Sequence, residues 1–174
     1  SPMPLGLPFL RWMHLLWWVF FFGAAFVWPV YGQVVVSEVM WMGTDLSPSD
    51  EWIELTGLGG SGSTVVDLDG WTLSRLNSSG QEVPIIRFGS GDRLGSGETL
   101  VVTRFAPTSS RLDAPPLFAV APEMSLPNTK LLLWLRNASG QIVDLVDDGI
   151  GNAFAGANPT GRIRASMERI DLTG

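Results

Sequence analysis

The stretch VVDLDGWTLS (65–74) decides the fold, because its two carboxylates admit three different interpretations. Asp67 and Asp69 beside Gly70 could form half of a calcium loop, a pair of groups for acid–base chemistry, or the corner between two β-strands. A calcium loop requires oxygen ligands at alternate positions and a distant bidentate carboxylate. Trp71 interrupts that pattern after two ligands, so the sequence favours the corner.

The corner also explains the apolar residues of this stretch. Val66 and Leu68 fall on one face of an extended segment, opposite the two aspartates. Gly70 permits a bend or bulge, after which Trp71 and Leu73 point together into a core. The aspartates are then solvent-facing turn residues that accept hydrogen bonds from nearby backbone N–H groups. The stretch predicts architecture and no chemistry.

Short apolar runs, separated by Gly, Pro, Asn and Ser, continue through the rest of the chain. No window after Gln33 keeps a helical period over three turns. This pattern predicts an all-β fold, either a sandwich or a closed barrel. The runs are QVVVSEVMWM (33–42), EWIELTG (51–57), STVVDL (63–68), GWTLSRL (70–76), EVPIIRF (82–88), ETLVVTRF (98–105), PLFAVA (116–121), KLLLWLR (130–136) and QIVDLV (141–146).

The first 32 residues differ from the rest of the chain. Arg11 precedes a charge-free hydrophobic run at 15–31, which Pro29 breaks and after which Gly32 supplies a small exit residue. This order is typical of a secretory signal peptide, and the alternative is an uncleaved helix that anchors the chain in a membrane. Both interpretations place the remaining domain, residues 33–174, outside the cell. We therefore expect a secreted or cell-surface protein, which contacts a membrane only through residues 15–31 and only if that segment is not cleaved.

The composition of the exported part excludes several classes of function. The chain has 11 Lys and Arg residues, of which Arg11 lies in the leader, against 17 Asp and Glu residues. Such an acidic domain is a poor polyanion binder, so we expect no nucleic-acid partner. The chain has no Cys, and its one His, His14, lies in the leader. Ser–His and Cys–His nucleophile pairs and the usual zinc ligand sets are therefore excluded, and the domain must fold without disulfides.

Carboxylates leave one idea for an enzyme, a glycosidase with two acidic groups. The best candidates are Asp50, Glu51 and Glu54 in DEWIEL. The same residues alternate with Ile53 and Leu55, which is typical of a strand that shows its polar face to water. We expect that strand, no catalysis and no cofactor.

DLVDDGIGN (144–152) is the best candidate for a metal site. Asp144, Asp147 and Asp148 beside Gly149 could offer oxygen ligands to calcium, which is available outside cells. The alternative, which we favour, is a strand that ends in a DDG turn, without a metal.

Six motifs in order resemble the lamin-tail domain, in the version found in exported bacterial and archaeal proteins. They are VVVSEVMW, DEWIEL, VVDLDGWTLS, LGSGETLVVTR, LLLWLRNASGQIVDLV and SMER, and together they span roughly residues 33–171. The resemblance implies an immunoglobulin-like β-sandwich and a non-catalytic module appended to larger surface or secreted proteins. The matching positions have implied structural roles: Glu38, Trp52, Glu54, Leu55, Gly70, Trp71, Leu73 and the run 166–169.

The chain departs from the lamin-tail pattern at three places. GLGGSGST forms a long turn, residues 107–127 form a Pro-rich excursion, and the sequence stops soon after SMERID. We expect at least one more β-segment after Gly174, because the strand predicted at 165–171 would otherwise present an uncovered sheet edge. Glu38 and Arg169 lie on the first and last predicted strands and could form an ion pair that fixes how the chain ends meet. The alternative is two unrelated surface charges, since exposed ion pairs contribute little.

Two functional classes follow from these observations. The first is an exported interaction module that binds an unknown protein or cell-surface partner. The second is a calcium-dependent or carbohydrate-binding sandwich, since sandwiches commonly present ligands on loops. Phe154 in GNAFAGAN is the sole loop aromatic that could stack on a sugar.

Overall fold

The structure is a computed structural model, and only part of the chain is described. The leader predicted at 1–32 and the last residue, Gly174, lie outside the described part. Within that part, no helix has the length and apolar character needed to cross a membrane. The described residues are 34–44, 47–59, 65–110, 112, 117–157 and 164–172.

The described residues form an all-β structure, as the punctuation of the sequence predicts. They contain a 3-10 turn at Pro107–Ser109 but no α-helix. Every predicted run contains a strand, although most strands are shorter than their runs. The strands are β1 (Val34–Met40), β2 (Trp52–Gly57), β3 (Val66–Asp67), β4 (Thr72–Leu76), β5 (Glu82–Arg87), β6 (Arg93–Leu94), β7 (Thr99–Thr103), β8 (Phe118–Val120), β9 (Leu133–Arg136), β10 (Ile142–Val146) and β11 (Met167–Glu168).

The strands form two larger sheets in a sandwich-like arrangement and one small sheet. A five-stranded sheet has the order β11-β1-β2-β7-β8, and a four-stranded sheet has the order β10-β9-β4-β5. Strands β3 and β6 form a two-stranded sheet beside them. Neighbouring strands are antiparallel except β7 and β8, which run parallel. Antiparallel sheets commonly bury one face and alternate apolar with polar residues. Strand β9 follows this alternation, whereas β1, β2 and β7 are buried along most of their length.

The core lies where the apolar faces of the two larger sheets meet. Ile53 and Leu55 of β2 are fully buried, and so are Leu73 of β4 and Leu133 and Leu135 of β9. Leu73 and Leu135 are direct neighbours across the β4–β9 pair. Because burying one leucine side chain contributes roughly 1.5–3 kcal/mol, these residues fix the faces of both sheets.

The opening stretch forms the corner that its sequence predicts. Val66 and Leu68 are buried and Asp67 and Asp69 are exposed. Asp67 accepts a hydrogen bond from the Asp69 N–H at 3.0 Å, as expected of a turn aspartate. Gly70 has a φ of 77°, a conformation that glycine adopts without the strain of a Cβ.

After the corner the chain enters the four-stranded sheet. Leu73 is fully buried, and Trp71 is half-buried against the core. The corner therefore connects two sheets, since β3 pairs with β6 while β4 pairs with β5 and β9. The sequence did not predict β6, a two-residue strand inside the loop GSGDRLGSG.

Candidate functional site

The two larger sheets meet along the edge of β1. Strand β11 pairs only with Glu38 and Val39, and the register of β1 shifts between Val36 and Glu38 where it pairs with β2. The Val36 N–H therefore lies beyond the end of β11, and it donates to Asp144 of β10 at 2.8 Å. A side chain of the four-stranded sheet thus takes the place of a strand partner for the five-stranded sheet.

Arg169 joins the same contact and does not pair with Glu38. Its backbone N–H donates to the Ser37 carbonyl at 2.8 Å, and its guanidinium donates to both oxygens of Asp144 at 2.9 and 3.0 Å. The predicted Glu38–Arg169 pair is wrong because Glu38 lies opposite Glu168 in the register. Adjacent strand residues point to opposite faces, so Arg169 faces Asp144 and not Glu38.

Glu38 belongs to a row of carboxylates across the five-stranded sheet. It neighbours Glu54 on one side and Glu168 on the other, and it accepts a hydrogen bond from the Ser166 hydroxyl. Burial raises the pKa of Glu38, and the charges of Glu54 and Glu168 raise it further. Glu54 in turn accepts a hydrogen bond from the Ser37 hydroxyl at 2.6 Å. The Glu38 and Glu54 carboxylates thus connect neighbouring segments of the five-stranded sheet.

A groove of about 280 Å³ opens beside the Asp144–Arg169 contact. It is lined by β1, β10, β11 and the loop at 154–155, and Val39 and Met167 are among its buried lining residues. Leu145 and Phe154 line the same groove, yet 49% and 68% of their surfaces are exposed. A concave apolar surface with an exposed aromatic ring is the usual form of a binding site, so this groove is the candidate functional site.

The predicted calcium ligands are occupied by backbone groups or by Arg169. Asp147 is buried and accepts hydrogen bonds from the N–H groups of Asp148 at 2.7 Å and Phe154 at 2.9 Å. Asp148 accepts one from the Ile150 N–H at 2.7 Å. In the described part of the chain, no group of three or more His, Cys, Asp or Glu residues could hold a metal ion. Asp144, Asp147 and Asp148 thus shape the strand end and position Phe154.

The acidic residues of DEWIEL are placed differently from the prediction of a polar face in water. Asp50 and Glu51 are both buried, and only Glu54 is partly exposed. Asp50 accepts a hydrogen bond from the Ser110 hydroxyl at 2.6 Å, while Glu51 accepts one from the Leu126 N–H at 3.0 Å. These partners lie on different segments, so the carboxylates do not face one common site as a glycosidase pair would.

The sequence interpretation named Glu51 but did not predict that it is buried. One of its buried oxygens lacks a hydrogen bond in the described structure and lies 3.7 Å from the Arg104 guanidinium. Burial raises the pKa of Glu51 to about 7, although the Leu126 N–H and the charge of Arg104 lower it. The burial of Glu51 depends on the loop that carries Leu126, and no short sequence motif predicts this contact.

Two remaining positions of the resemblance, Trp52 and Leu55, lie on β2. Trp52 is buried and neighbours Thr103 of β7, and Leu55 is fully buried.

No protein-family model matches the chain, and no curated protein matches it significantly. The resemblance to the lamin-tail domain therefore rests on the quoted motifs and stays a prediction.

Proposed function

We propose that this chain is an exported, non-catalytic interaction module of the lamin-tail type. It acts as an accessory domain of a larger surface or secreted protein, and the groove between β1, β10 and β11 binds the partner. The observation that carries this proposal is the exposure of Phe154 and Leu145 at a concave apolar surface. Exposed aromatic and aliphatic residues in a concave surface are typical anchors for a protein partner.

The surroundings of the charged groups favour binding over catalysis. Asp144, Asp147 and Asp50 are each committed to strand, loop or hydroxyl contacts, so their geometry stabilises the fold. Glu51 has the raised pKa that a general acid needs, but its carboxylate is buried with Leu126 and Arg104. A general acid must reach the proton acceptor of a substrate, and a carboxylate enclosed in this way is poorly placed to do so.

The architecture supports the immunoglobulin-like part of the proposal. Sheets of five and four strands, antiparallel except for the β7–β8 pair, pack on one leucine-rich core, as in that class of sandwich. The parallel pair β7–β8, at one edge of the five-stranded sheet, departs from a fully antiparallel sandwich. The hydrophobic run at 15–31 supports export.

A peptide selection tests the binding face. The full chain is screened against displayed random peptides, and the selected peptides are then measured against Phe154→Ser and Leu145→Ser variants. We expect each variant to weaken binding by about tenfold, since truncating an interface anchor removes roughly 1–2 kcal/mol. Ile142→Ser is the matched control, because Ile142 lies on the same strand as Leu145, is similarly exposed and does not line the groove. Peptides that bind all variants equally would show that the groove is not the binding face.

A reporter fusion tests export independently. The leader and domain are fused to an alkaline phosphatase that is active only outside the bacterial cytoplasm. We expect activity from the whole chain and loss of activity when residues 1–32 are deleted. Equal activity of both fusions, or none, would contradict export.

Carbohydrate binding is the second candidate, and the exposed ring of Phe154 is the observation that favours it. A sugar face can stack on such a ring, and the groove of about 280 Å³ lies at the small end for a ligand site. A panel of short oligosaccharides, scored by the melting temperature of the full chain, decides between the candidates. A rise that Phe154→Ser abolishes would favour sugar over a protein partner.

A further inference from the structure

The outer edges of the two larger sheets differ in how well they are protected. Natural sheets protect an edge with charges, prolines or bulges, which prevent pairing with another chain. Strand β11 carries Glu168 and β10 carries Asp144 beside an irregular register, while β5 carries Pro84 between two charged residues. Strand β8, Phe118–Val120, is the edge among these described strands that has no charge, proline or bulge.

The hydrogen bonds of the β7–β8 pair show which backbone groups of β8 point away from β7. The Leu117 carbonyl accepts the Val101 N–H at 3.1 Å, and the Ala121 N–H donates to the Thr103 carbonyl at 2.8 Å. Backbone groups alternate in direction along a strand, so the N–H and C=O groups of Phe118 and Val120 point away from β7. No hydrogen bond joins these four groups to any described residue.

The side chains of β8 also alternate, between the core and the surface. Leu117 and Ala119 pack against the core, whereas 48% of Phe118 and 38% of Val120 remain exposed. The two exposed side chains are alternate residues and therefore lie on one face of the sheet. An extended backbone with apolar side chains at the same spacing would satisfy the four polar groups and cover both side chains.

We infer that β8 pairs antiparallel with β8 of a second copy of this chain, about a two-fold axis through Ala119. In that register Phe118 of each copy lies opposite Val120 of the other, and the two pairs form four hydrogen bonds. Each exposed phenylalanine then covers a valine across the junction, a favourable cross-strand pair. Pro122, which has no N–H, ends the pairing after this short segment.

Charge is consistent with this occupant. The segment 117–121 carries no charged residue, so two copies meet without like charges in contact. The net charge of −6 on each copy still opposes association at long range. Added salt therefore strengthens the pairing, whereas it would weaken a contact built on opposite charges. A junction this small is transient, and we expect a dissociation constant on the order of 100 µM.

Sedimentation velocity of the full chain between 5 and 500 µM tests the inference. Val120→Pro removes an N–H that the folded monomer does not use, so the monomer stays folded and the junction loses two of its four hydrogen bonds. We expect this variant and Phe118→Lys to weaken dimerisation at least tenfold. Ile142→Lys is the matched control, because Ile142 lies on β10 and 51% of it is exposed. Equal association of wild type and both β8 variants, or a monomer at 500 µM, would overturn the inference.

The register has its own test, because the chain contains no cysteine. Phe118→Cys and Val120→Cys proteins are mixed and oxidised. Directly opposed Cβ atoms lie about 5 Å apart, whereas diagonal ones lie about 7–8 Å apart, so the mixed disulfide should exceed either homodimer severalfold. Random disulfide formation would overturn the two-fold register. A monomer that instead binds an unrelated strand-forming peptide at β8 would overturn self-pairing while leaving the groove proposal intact.

Discussion

Asp144 and Arg169 form a bifurcated ion pair, in which one guanidinium nitrogen lies 2.9 and 3.0 Å from the two carboxylate oxygens. The Asp144 side chain is only 9% exposed, and it also accepts the Val36 N–H at 2.8 Å. One carboxylate therefore connects β1, β10 and the residue that follows β11. Because β1 and β11 are the first and last strands described, this contact stabilises the closure of the sandwich.

Removing the Asp144 carboxylate should destabilise the domain substantially. Asp144→Ala leaves the Arg169 guanidinium unpaired and removes the acceptor of the Val36 N–H. We expect a loss of about 2–4 kcal/mol in the free energy of unfolding, measured by urea denaturation, and about 1–2 kcal/mol for Arg169→Ala. The double variant should lose less than the sum of the single losses, by at least about 1 kcal/mol.

The control for this cycle uses Glu38. The losses of Glu38→Gln and Arg169→Ala should add to within about 0.5 kcal/mol, because the two side chains point to opposite faces of the sheet. Coupling between Glu38 and Arg169, with additive losses for Asp144 and Arg169, would instead support the pair predicted from the sequence.

Position 70 requires glycine for two reasons, backbone conformation and lack of space, and a matched variant at Gly80 separates them. Gly70 and Gly80 have φ values of 77° and 76°, which disfavour any side chain. A Cβ at Gly70 would lie 3.2 Å from the Ala138 Cβ, whereas one at Gly80 would meet nothing within 4 Å. We expect Gly80→Ala to lower the free energy of unfolding by about 1 kcal/mol and Gly70→Ala by about 1.5–2.5 kcal/mol. Equal losses in thermal denaturation would show that the turn at Ala138 relaxes freely.

The strands could be predicted from the sequence, but the pairing of some of them could not. Alternation and turn residues report the strands directly, which is why the corner at 65–74 and the runs around it were confirmed. The β8 run PLFAVA also contains a strand, but no local sequence pattern predicts its parallel pairing with β7. Strand β6 has two residues, which is too short for any period.

The contacts of the site depend on register, which the sequence does not report. A shift of one residue moves every side chain of a strand to the other face. Arg169 follows Glu168, the residue opposite Glu38, by one position, so placing Glu38 and Arg169 on the first and last strands did not identify the partner of Arg169. Likewise the alternation of DEWIEL predicts which residues share a face, but only the loop around Leu126 determines that Glu51 is buried.

Calcium should leave the stability of the protein unchanged. The oxygens of Asp147 and Asp148 accept backbone N–H groups, whose positive ends point at the position a cation would take. We expect the melting temperature in about 5 mM calcium to differ by less than about 1 °C from that in EDTA. Magnesium at the same ionic strength is the control for salt effects. A rise of several degrees with calcium alone would support the calcium-dependent sandwich.

Glu51 should make the stability depend on pH near neutrality. Its pKa is about 7 in the folded chain against an ordinary 4.5, so between these values the folded state binds a proton that the unfolded state releases. The contribution of Glu51 to the free energy of unfolding is therefore greatest below pH 4.5, and it falls as the pH rises to about 7. The total loss is on the order of 3 kcal/mol.

Glu51→Gln tests this assignment, because glutamine keeps an oxygen for the Leu126 N–H but cannot ionise. We expect the variant to be more stable than wild type at pH 8, by about 1–3 kcal/mol in urea denaturation, and to lose most of the pH dependence between pH 5 and 8. Glu38, whose pKa burial also raises, leaves a smaller residual slope of the same sign. Glu123→Gln, at an exposed position, is the control for the change in net charge. If Glu51→Gln were instead less stable at pH 8, the attraction of Arg104 at 3.7 Å would outweigh the burial of the Glu51 charge.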